Sequence, residues 1–178
     1  MRLFVGLDFP WEIREHLALL CGGVPGARWS PVENFHLTLR FIGEVSSPVA
    51  EEIDGALAAL RGRAFDLVLA GVGTFAKGGQ ENTLWVGVER NPALEALQAK
   101  VETALQRAGC PAERRRFTPH ISLARLRDPA QGKLVAFLQS HNLFRTDPIR
   151  IRHFTLFSSR LGKEASVYIP EVEYALDS

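Results

Sequence analysis

The sequence predicts alternating strands and helices arranged as two pseudo-equivalent lobes around a cleft. Strand and helix signals follow one another in the same βαβαβ order twice along the chain. Equivalent residues of the two series recur at a nearly constant separation, which is typical of an internal duplication. The matched pairs are Pro10 and Pro92, His36 and His120, and Pro48 and Pro129, which lie 82, 84 and 81 residues apart. The duplication predicts that the two histidine strands are equivalent and face each other.

The first repeat unit is expected over residues 2–75. Its first strand places Leu3, Val5 and Leu7 on one side. Pro10 then opens a helix, because proline is tolerated in a first helical turn, and a glycine pair ends it. The predicted elements are a strand at 2–9, a helix at 11–21, a strand at 34–42, a helix at 48–60 and a strand at 65–75.

The second unit, expected over residues 83–158, has the same order of elements. Asn91 caps a long amphipathic helix that Gly109 closes. The predicted elements are a strand at 83–89, a helix at 92–108, a strand through His120, a helix at 130–140 and a strand at 149–158. A final strand at 166–176 follows, and we expect residues 1–178 to form a single bilobal domain.

The composition indicates a globular protein. The 178 residues are 46% hydrophobic, which is ample for one core. No stretch predicts a membrane span or a signal peptide, and Cys21 and Cys110 give no disulfide framework, so we expect a cytoplasmic protein without membrane contact. A formal net charge of +1 argues against nucleic-acid binding by bulk electrostatic attraction.

The strand at 34–42 separates polar from apolar residues with a period of two. One face carries Asn34, His36, Thr38 and Arg40, and the other carries Phe35, Leu37, Leu39 and Phe41. The polar face therefore presents an imidazole, a hydroxyl and a fixed cation together. Residues 120–123 repeat the pattern as His-Ile-Ser-Leu. Three arginines at 114–116 precede this second motif, either as a solvated face or as part of a site.

A third match, His-Phe-Thr-Leu at 153–156, shows that the tetrapeptide alone is not specific. His153 shares its predicted strand face with Ile149 and Ile151, and it lies in the last strand of the repeat. We therefore interpret His153 as structural. His16 and His141, on or just after helices, receive no functional role.

Two facing His-x-(Ser/Thr) strands suit acid–base chemistry at phosphorus. Imidazole titrates near neutrality, so one ring can accept a proton while the other donates one. The nearby hydroxyls could bind phosphate oxygens, and arginines could supply charge-assisted donors. Neither strand adds further metal ligands, so we expect no metal and no other cofactor.

The chain resembles the 2H phosphoesterase superfamily, and more closely its RNA 2′,3′-cyclic phosphodiesterases, historically called 2′-5′ RNA ligases. The likeness covers essentially the whole chain and rests on the two HxTx motifs with their flanking segments, residues 2–8, 33–44, 83–87, 117–125 and 156–161. Ser122 departs from the family, which more often has threonine there. The resemblance implies an α+β fold, with two lobes of mainly antiparallel sheet flanked by helices around a central cleft.

The resemblance also implies an activity, the metal-independent hydrolysis of RNA 2′,3′-cyclic phosphate ends to 2′-phosphomonoesters. His36 would be the proton donor and His120 the proton acceptor. The residues that would bind the phosphate are Thr38, Ser122 and Arg125, to which the strand face alone adds Arg40. The implied partner is RNA with a 2′,3′-cyclic phosphate terminus, with tRNA halves and nucleotides as candidates, and we expect a monomer.

Two other function classes stay open at this point. The chain could be another 2H enzyme, acting on small cyclic nucleotides or ligating 2′-5′ RNA ends. It could also be a non-catalytic RNA- or nucleotide-binding module, although binding alone would not need two titrating groups.

Overall fold

The computed structural model describes residues 1–178, which form ten strands and four α-helices. The strands are β1 (Arg2–Leu7), β2 (Ala27–Trp29), β3 (Leu37–Glu44), β4 (Phe65–Leu67), β5 (Leu69–Lys77), β6 (Gln80–Val88), β7 (His120–Leu126), β8 (Ile149–Ile151), β9 (His153–Leu161) and β10 (Ser166–Ala175). The helices are α1 (Trp11–Ala18), α2 (Ser47–Ala58), α3 (Pro92–Arg107) and α4 (Gln131–His141). None of the four helices combines the length and the apolarity that crossing a membrane requires.

Eight strands form one sheet whose order is symmetric about β3 and β7. The order is β10-β9-β1-β3-β7-β6-β5, and β2 pairs with β7. All the pairings between these strands are antiparallel. Outward from the central pair, β1 corresponds to β6 and β9 to β5. This architecture confirms the predicted α+β class with mainly antiparallel sheet.

One hydrophobic cluster joins both halves of the sheet. It contains 32 buried residues from Leu3 to Leu176. Helix α3 contributes one buried stripe, Leu94, Leu97, Val101 and Leu105, at the spacing of an amphipathic helix. The side chain of Asn91 accepts a hydrogen bond from the Leu94 amide at 3.1 Å, so this helix begins where the sequence predicts.

Several element boundaries differ from the prediction. The strand expected at 34–42 begins at Leu37, because Asn34 belongs to a short 3₁₀ turn (Val32–Asn34) and His36 lies just before the strand. The strands expected at 65–75 and 149–158 are each divided in two, because β4 and β8 leave the large sheet and pair with each other. Strand β2 was not predicted, and its three residues pair with β7.

Candidate active site

The two histidine motifs meet at the centre of the sheet. Strands β3 and β7 are joined there through a single pair, Leu37 with Ile121, and both of these side chains are fully buried. Since side chains alternate along a strand, the residues on either side of this pair point to the opposite face. They are His36, Thr38, His120 and Ser122, and all four line one cleft of about 640 Å³.

His36 is held at both ring nitrogens. Its Nδ1 lies 2.7 Å from the carbonyl oxygen of Asn34, and its Nε2 lies 2.9 Å from Thr38 Oγ1. Because a carbonyl oxygen only accepts, Nδ1 carries the proton of the neutral ring and Nε2 accepts from the Thr38 hydroxyl. Phe4 and Tyr168 pack against the imidazole, with centroid distances of 4.9 and 5.0 Å. These contacts fix the direction in which Nε2 points.

His120 is anchored in the same way. Its Nδ1 lies 2.7 Å from the carbonyl oxygen of Thr118, again the residue two positions earlier. Phe75 meets the imidazole edge-on at 4.7 Å. Trp85 lies beside Phe75 and across Gly73, where a Cβ would come within 2.4 Å of the indole. The Nε2 atom of His120 has no partner in the protein and can exchange a proton with a bound ligand.

Burial lowers the pKa of both imidazoles. For His36 the loss of hydration is the main cause, the hydrogen bond to the Asn34 carbonyl opposes it, and the neighbouring His120 lowers the pKa further. For His120 burial again dominates, opposed by the hydrogen bond to Thr118. Since the ordinary histidine pKa is about 6.5, both rings are neutral in the free protein at pH 7. A bound phosphate anion would raise the pKa of either ring.

A β-bulge in β7 places Arg125 on the cleft side of the strand. In β7 the pairing with β6 skips Leu123, which is therefore an extra residue in the strand. Leu123 and Ala124 are both buried, and Arg125 is exposed and lines the cleft. In a regular strand Arg125 would lie on the opposite face from His120, because the two are separated by an odd number of positions.

Strand β3 has a matching bulge, and Arg40, which follows it, is largely enclosed by the protein. The pairing with β1 skips Leu39, and Arg40 is only 7% exposed. Its Nε donates to Glu102 of α3 at 2.7 Å, its Nη1 donates to the Phe41 carbonyl at 2.6 Å, and its Nη2 donates to the Pro111 carbonyl. All three guanidinium nitrogens are thus engaged within the protein. Arg40 thereby ties β3 to α3 and to the segment before β7, and it also lines the cleft, so its contact with phosphate stays a prediction.

His153 lies outside this cleft. Its Nε2 is 2.9 Å from Asp8 Oδ1 and 3.8 Å from a carboxylate oxygen of Glu173. These three side chains are the group whose donor atoms lie close enough to share a cation. The imidazole is already hydrogen-bonded to Asp8, however, and Arg14 lies 3.9 Å from the other oxygen of that carboxylate. The contacts of His153 support a structural role.

Sequence reasoning missed the aromatic residues around the imidazoles. Phe75 on β5 and Tyr168 on β10 belong to strands without a histidine motif, so only the strand order places them at the site. The arginine run was a usable signal, because Arg115 and Arg116 both line the cleft. Arg115 also donates to Glu113, and this hydrogen bond lowers the pKa of that carboxyl to about 2.

An antiparallel two-lobed sheet, with a His-x-(Ser/Thr) motif from each lobe at its central seam, defines the 2H phosphoesterase class. The sequence matches the model of the 2′-5′ RNA ligase superfamily over residues 13–162, and the chain belongs to that superfamily.

Individual relatives agree with this assignment. An RNA 2′,3′-cyclic phosphodiesterase of Aeropyrum pernix is 36% identical over 76% of this chain and 78% of its own length. An RNA 2′,3′-cyclic phosphodiesterase of Escherichia coli is 32% identical over 98% of this chain and 96% of its own. Among solved structures, E. coli LigT complexed with 3′-AMP has a TM-score of 0.78 at 28% identity, covering 99% of this chain and 98% of that one.

Proposed function

We propose that this chain hydrolyses RNA 2′,3′-cyclic phosphate ends to 2′-phosphomonoesters. The main support is that both histidine motifs lie on the same face of the sheet, where β3 pairs with β7. The names of the A. pernix and E. coli relatives supply the substrate class. We further propose a monomer acting in the cytoplasm, a setting that fits the free thiols of Cys21 and Cys110.

The first half of the reaction uses His120 as the general base. Its Nε2 takes a proton from a water molecule while the water oxygen forms a bond to phosphorus. Two features prepare this ring for the role. Burial keeps it neutral at pH 7, and the Thr118 carbonyl holds the other ring proton on Nδ1, which leaves the Nε2 lone pair free.

The second half uses His36 as the general acid. As the bond from phosphorus to the 3′ oxygen breaks, that oxygen takes the proton from Nε2 of the protonated ring. The product carries the phosphate on the 2′ oxygen and a free 3′ hydroxyl. His36 must be protonated before the step, and the negative phosphate favours this by raising its pKa. Proton exchange with solvent then resets both rings.

Thr38, Ser122 and Arg125 bind the phosphate oxygens. In the antiparallel register of β3 and β7, the residues next to the Leu37–Ile121 pair lie opposite each other. Thr38 therefore lies beside His120, and Ser122 lies beside His36. In the free protein the Thr38 hydroxyl donates to neutral His36. Once His36 is protonated it becomes the donor, and the Thr38 hydroxyl is released to donate to phosphate. Arg125 adds a charge-assisted donor from the neighbouring position.

The test is incubation with an RNA that ends in a 2′,3′-cyclic phosphate, in the presence of EDTA. We expect a 2′-phosphate product, because imidazoles carry out both proton transfers. A 3′-phosphate product, or activity that EDTA abolishes and a divalent cation restores, would overturn the proposal. Parallel reactions with 2′,3′-cyclic mononucleotides, and with an added RNA bearing a 5′ hydroxyl, distinguish hydrolysis of small cyclic nucleotides and ligation from the proposed reaction.

A further inference from the structure

The order of the sheet is symmetric about β3 and β7 except for its outermost strand, β10. Strands β1 and β9 of one lobe correspond to β6 and β5 of the other, and β10 has no counterpart. It lies at the edge of the lobe that carries His36, three places from β3 in the sheet order. Two contacts nevertheless join β10 to His36. The lobe of His120 has no strand in the equivalent place, so the two imidazoles differ in what holds them.

The first contact runs through the side chain of Asn34. Its Nδ2 donates a hydrogen bond at 2.8 Å to the carbonyl oxygen of Ser166, the first residue of β10. The backbone carbonyl of Asn34 accepts a hydrogen bond from Nδ1 of His36 at 2.7 Å. One residue thus binds the ring of His36 with its backbone and the start of β10 with its side chain. Thr118, which anchors His120, offers the same backbone carbonyl but has no side-chain amide.

The second contact is the ring of Tyr168, two residues further along β10. It meets the imidazole of His36 edge-on, with the ring centroids 5.0 Å apart and the ring planes at 81°. The same ring meets Phe4 edge-on at 5.1 Å, and Phe4 lies 4.9 Å from the imidazole. The three rings therefore pack against one another. Because Tyr168 also lines the cleft, it limits the movement of the imidazole there.

The hairpin of β9 and β10 is itself held at its tip. Arg28 of β2 donates a hydrogen bond from its guanidinium to the carbonyl oxygen of Glu164, in the turn of the hairpin. Since β2 pairs with β7, this hydrogen bond joins the hairpin to the half of the sheet that contains His120. The start of β10 is thus fixed by pairing with β9 and by this bridge. It provides Asn34 with a firm support.

This support matters because a neutral imidazole has two tautomers. Only the tautomer with its proton on Nδ1 leaves Nε2 as the atom that gains and gives the catalytic proton. The Asn34 carbonyl holds the proton on Nδ1 of His36, and the link from Asn34 to Ser166 fixes that carbonyl. Tyr168 keeps the ring in the orientation that this hydrogen bond requires.

We propose that β10 positions the general acid through Asn34 and Tyr168. This inference rests on the proposed function, in which His36 gives its Nε2 proton to the leaving 3′ oxygen. Asn34 and Tyr168 are positioning residues, because they act on the reaction through His36. Loss of either contact lets the imidazole of His36 turn or take up the other tautomer, and it leaves His120 in place.

Two RNAs separate this role from a general loss of structure. One ends in an ordinary 2′,3′-cyclic phosphate, and in the other a sulfur atom replaces the bridging 3′ oxygen. In both, water attacks phosphorus and the bond from phosphorus to the 3′ atom breaks. Thiols are far more acidic than alcohols, with a pKa of about 8.5 for cysteine, so the sulfur leaves as a thiolate without taking a proton. Hydrolysis of the sulfur RNA therefore needs the general base but not the general acid.

We expect Asn34→Ala and Tyr168→Ala to lower kcat on the ordinary RNA by about 10- to 100-fold with little change in KM, because the acid is misplaced. Both variants should hydrolyse the sulfur RNA at the wild-type rate. Tyr168→Phe, which keeps the ring, should match the wild-type protein on both RNAs. Val167→Ala is the control on β10, because Val167 is 48% exposed and points to the opposite face from Tyr168. Leu143→Ala is the control outside the cleft, where Leu143 is 89% exposed.

Nitrogen-15 NMR of histidine-labelled protein without substrate gives a readout that does not need turnover. At pH 7 the wild-type protein should show His36 with its proton on Nδ1, and the absence of these signals in His36→Gln identifies them. Asn34→Ala and Tyr168→Ala should add the other tautomer of His36 and leave the signals of His120 unchanged. Circular dichroism checks the folding of each variant, and either alanine variant decides the question if the other does not fold.

An unchanged His36 tautomer in the folded alanine variants would overturn the role of β10. An equal loss of rate on the ordinary and the sulfur RNA would also overturn it, because a structural defect affects both reactions. If the wild-type protein hydrolyses neither RNA, the proposed function fails, and the NMR comparison still decides whether Asn34 and Tyr168 hold His36.

Discussion

Both imidazoles of the cleft are oriented by the backbone carbonyl two residues earlier, which leaves each Nε2 for chemistry. We expect His36→Ala and His120→Ala each to lower turnover by about 10²–10⁴-fold, the usual range for a lost general acid or base. The double variant should be little worse than either single one, because the two residues act as a unit. Single-turnover hydrolysis of the cyclic-phosphate RNA measures this.

His153→Ala is the control for these variants, since its imidazole pairs with Asp8 outside the cleft. It should fold, as judged by circular dichroism, and keep most of its activity. A folded but inactive His153→Ala, alongside an active His36→Ala or His120→Ala, would show that the wrong histidines have been paired.

The two hydroxyls should matter less than the two imidazoles. Removing a hydrogen bond to a charged oxygen costs on the order of 1.5–3 kcal/mol. We expect Thr38→Ala to lower activity more than Ser122→Ala does, because the Thr38 hydroxyl also binds His36 at 2.9 Å. Ser122→Thr, which keeps the hydroxyl and adds a methyl group, should preserve activity. The values of kcat and KM for Thr38→Ala, Ser122→Ala and Ser122→Thr test this. Wild-type rates in both alanine variants would mean that the hydroxyls do not bind the phosphate and serve only in packing.

The lowered pKa values also predict the pH dependence of the rate. One ring must be neutral and the other protonated, so kcat/KM should be bell-shaped. Because burial lowers both pKa values in the free protein, the pH optimum of kcat/KM should lie below pH 6.5. The optimum of kcat should lie higher, since bound phosphate raises the pKa of each ring. A rate that rises steadily from pH 5 to 9 would contradict this assignment.

At the scale of the strand, periodicity predicts the site up to the bulge and fails beyond it. Alternation correctly places Leu37 and Leu39 in the core and His36 with Thr38 on the other face. It fails at Phe41, which alternation places on the core face and which is 49% exposed, because the extra residue arises from pairing with β1 and no residue within the segment marks it. Arg125 faces the cleft because of the corresponding bulge in β7, which also arises from strand pairing. Only the family resemblance predicted that Arg125 belongs to the site. The local sequence thus predicts the face of the strand on which a side chain lies, whereas the position of a bulge depends on pairing with the neighbouring strand.

The Arg40–Glu102 pair is expected to support the structure. Its side chains are 6% and 16% exposed, and it joins β3 to α3. Breaking a largely buried pair by removing one partner leaves an uncompensated charge, at a cost of about 3–5 kcal/mol. Arg40→Met should therefore destabilise the protein strongly. The double change Arg40→Met with Glu102→Leu should cost less than the two single changes together, as urea unfolding of all three variants would reveal. Strict additivity would mean that the two side chains are not coupled.

At the scale of the whole molecule, the constant separation of repeated residues predicted that the histidine strands are equivalent. In the structure these strands are the central pair of a symmetric sheet. The sequence could not predict that β5 lies beside β6 and β9 beside β1, because partner choice depends on packing between distant segments. Each half thus completes the sheet of the other, and one hydrophobic cluster runs through both. On these grounds we propose that residues 1–178 unfold as one unit.

Unfolding at different pH values tests this proposal, and it also tests the protonation state of the two partly buried histidines. The folded protein holds the pKa of His36 and of His120 below the value of about 6.5 expected in the unfolded chain. Well above pH 6.5 these rings are neutral in both states and contribute no pH dependence. As the pH falls below 6.5 the unfolded chain takes up protons first, so the free energy of unfolding must decrease. The carboxyl groups with lowered pKa values, Glu102 and Glu113, begin to add to this loss only near pH 4.5.

Urea unfolding between pH 7 and pH 5 should therefore show a single transition whose midpoint falls with pH. His36→Gln and His120→Gln should each flatten that decline, because an amide does not titrate, while Leu143→Ala should leave its slope unchanged. A midpoint that stays constant or rises toward pH 5 would mean that the imidazoles are readily protonated in the folded protein. Two separate transitions would mean that the lobes unfold independently, despite their exchanged strands.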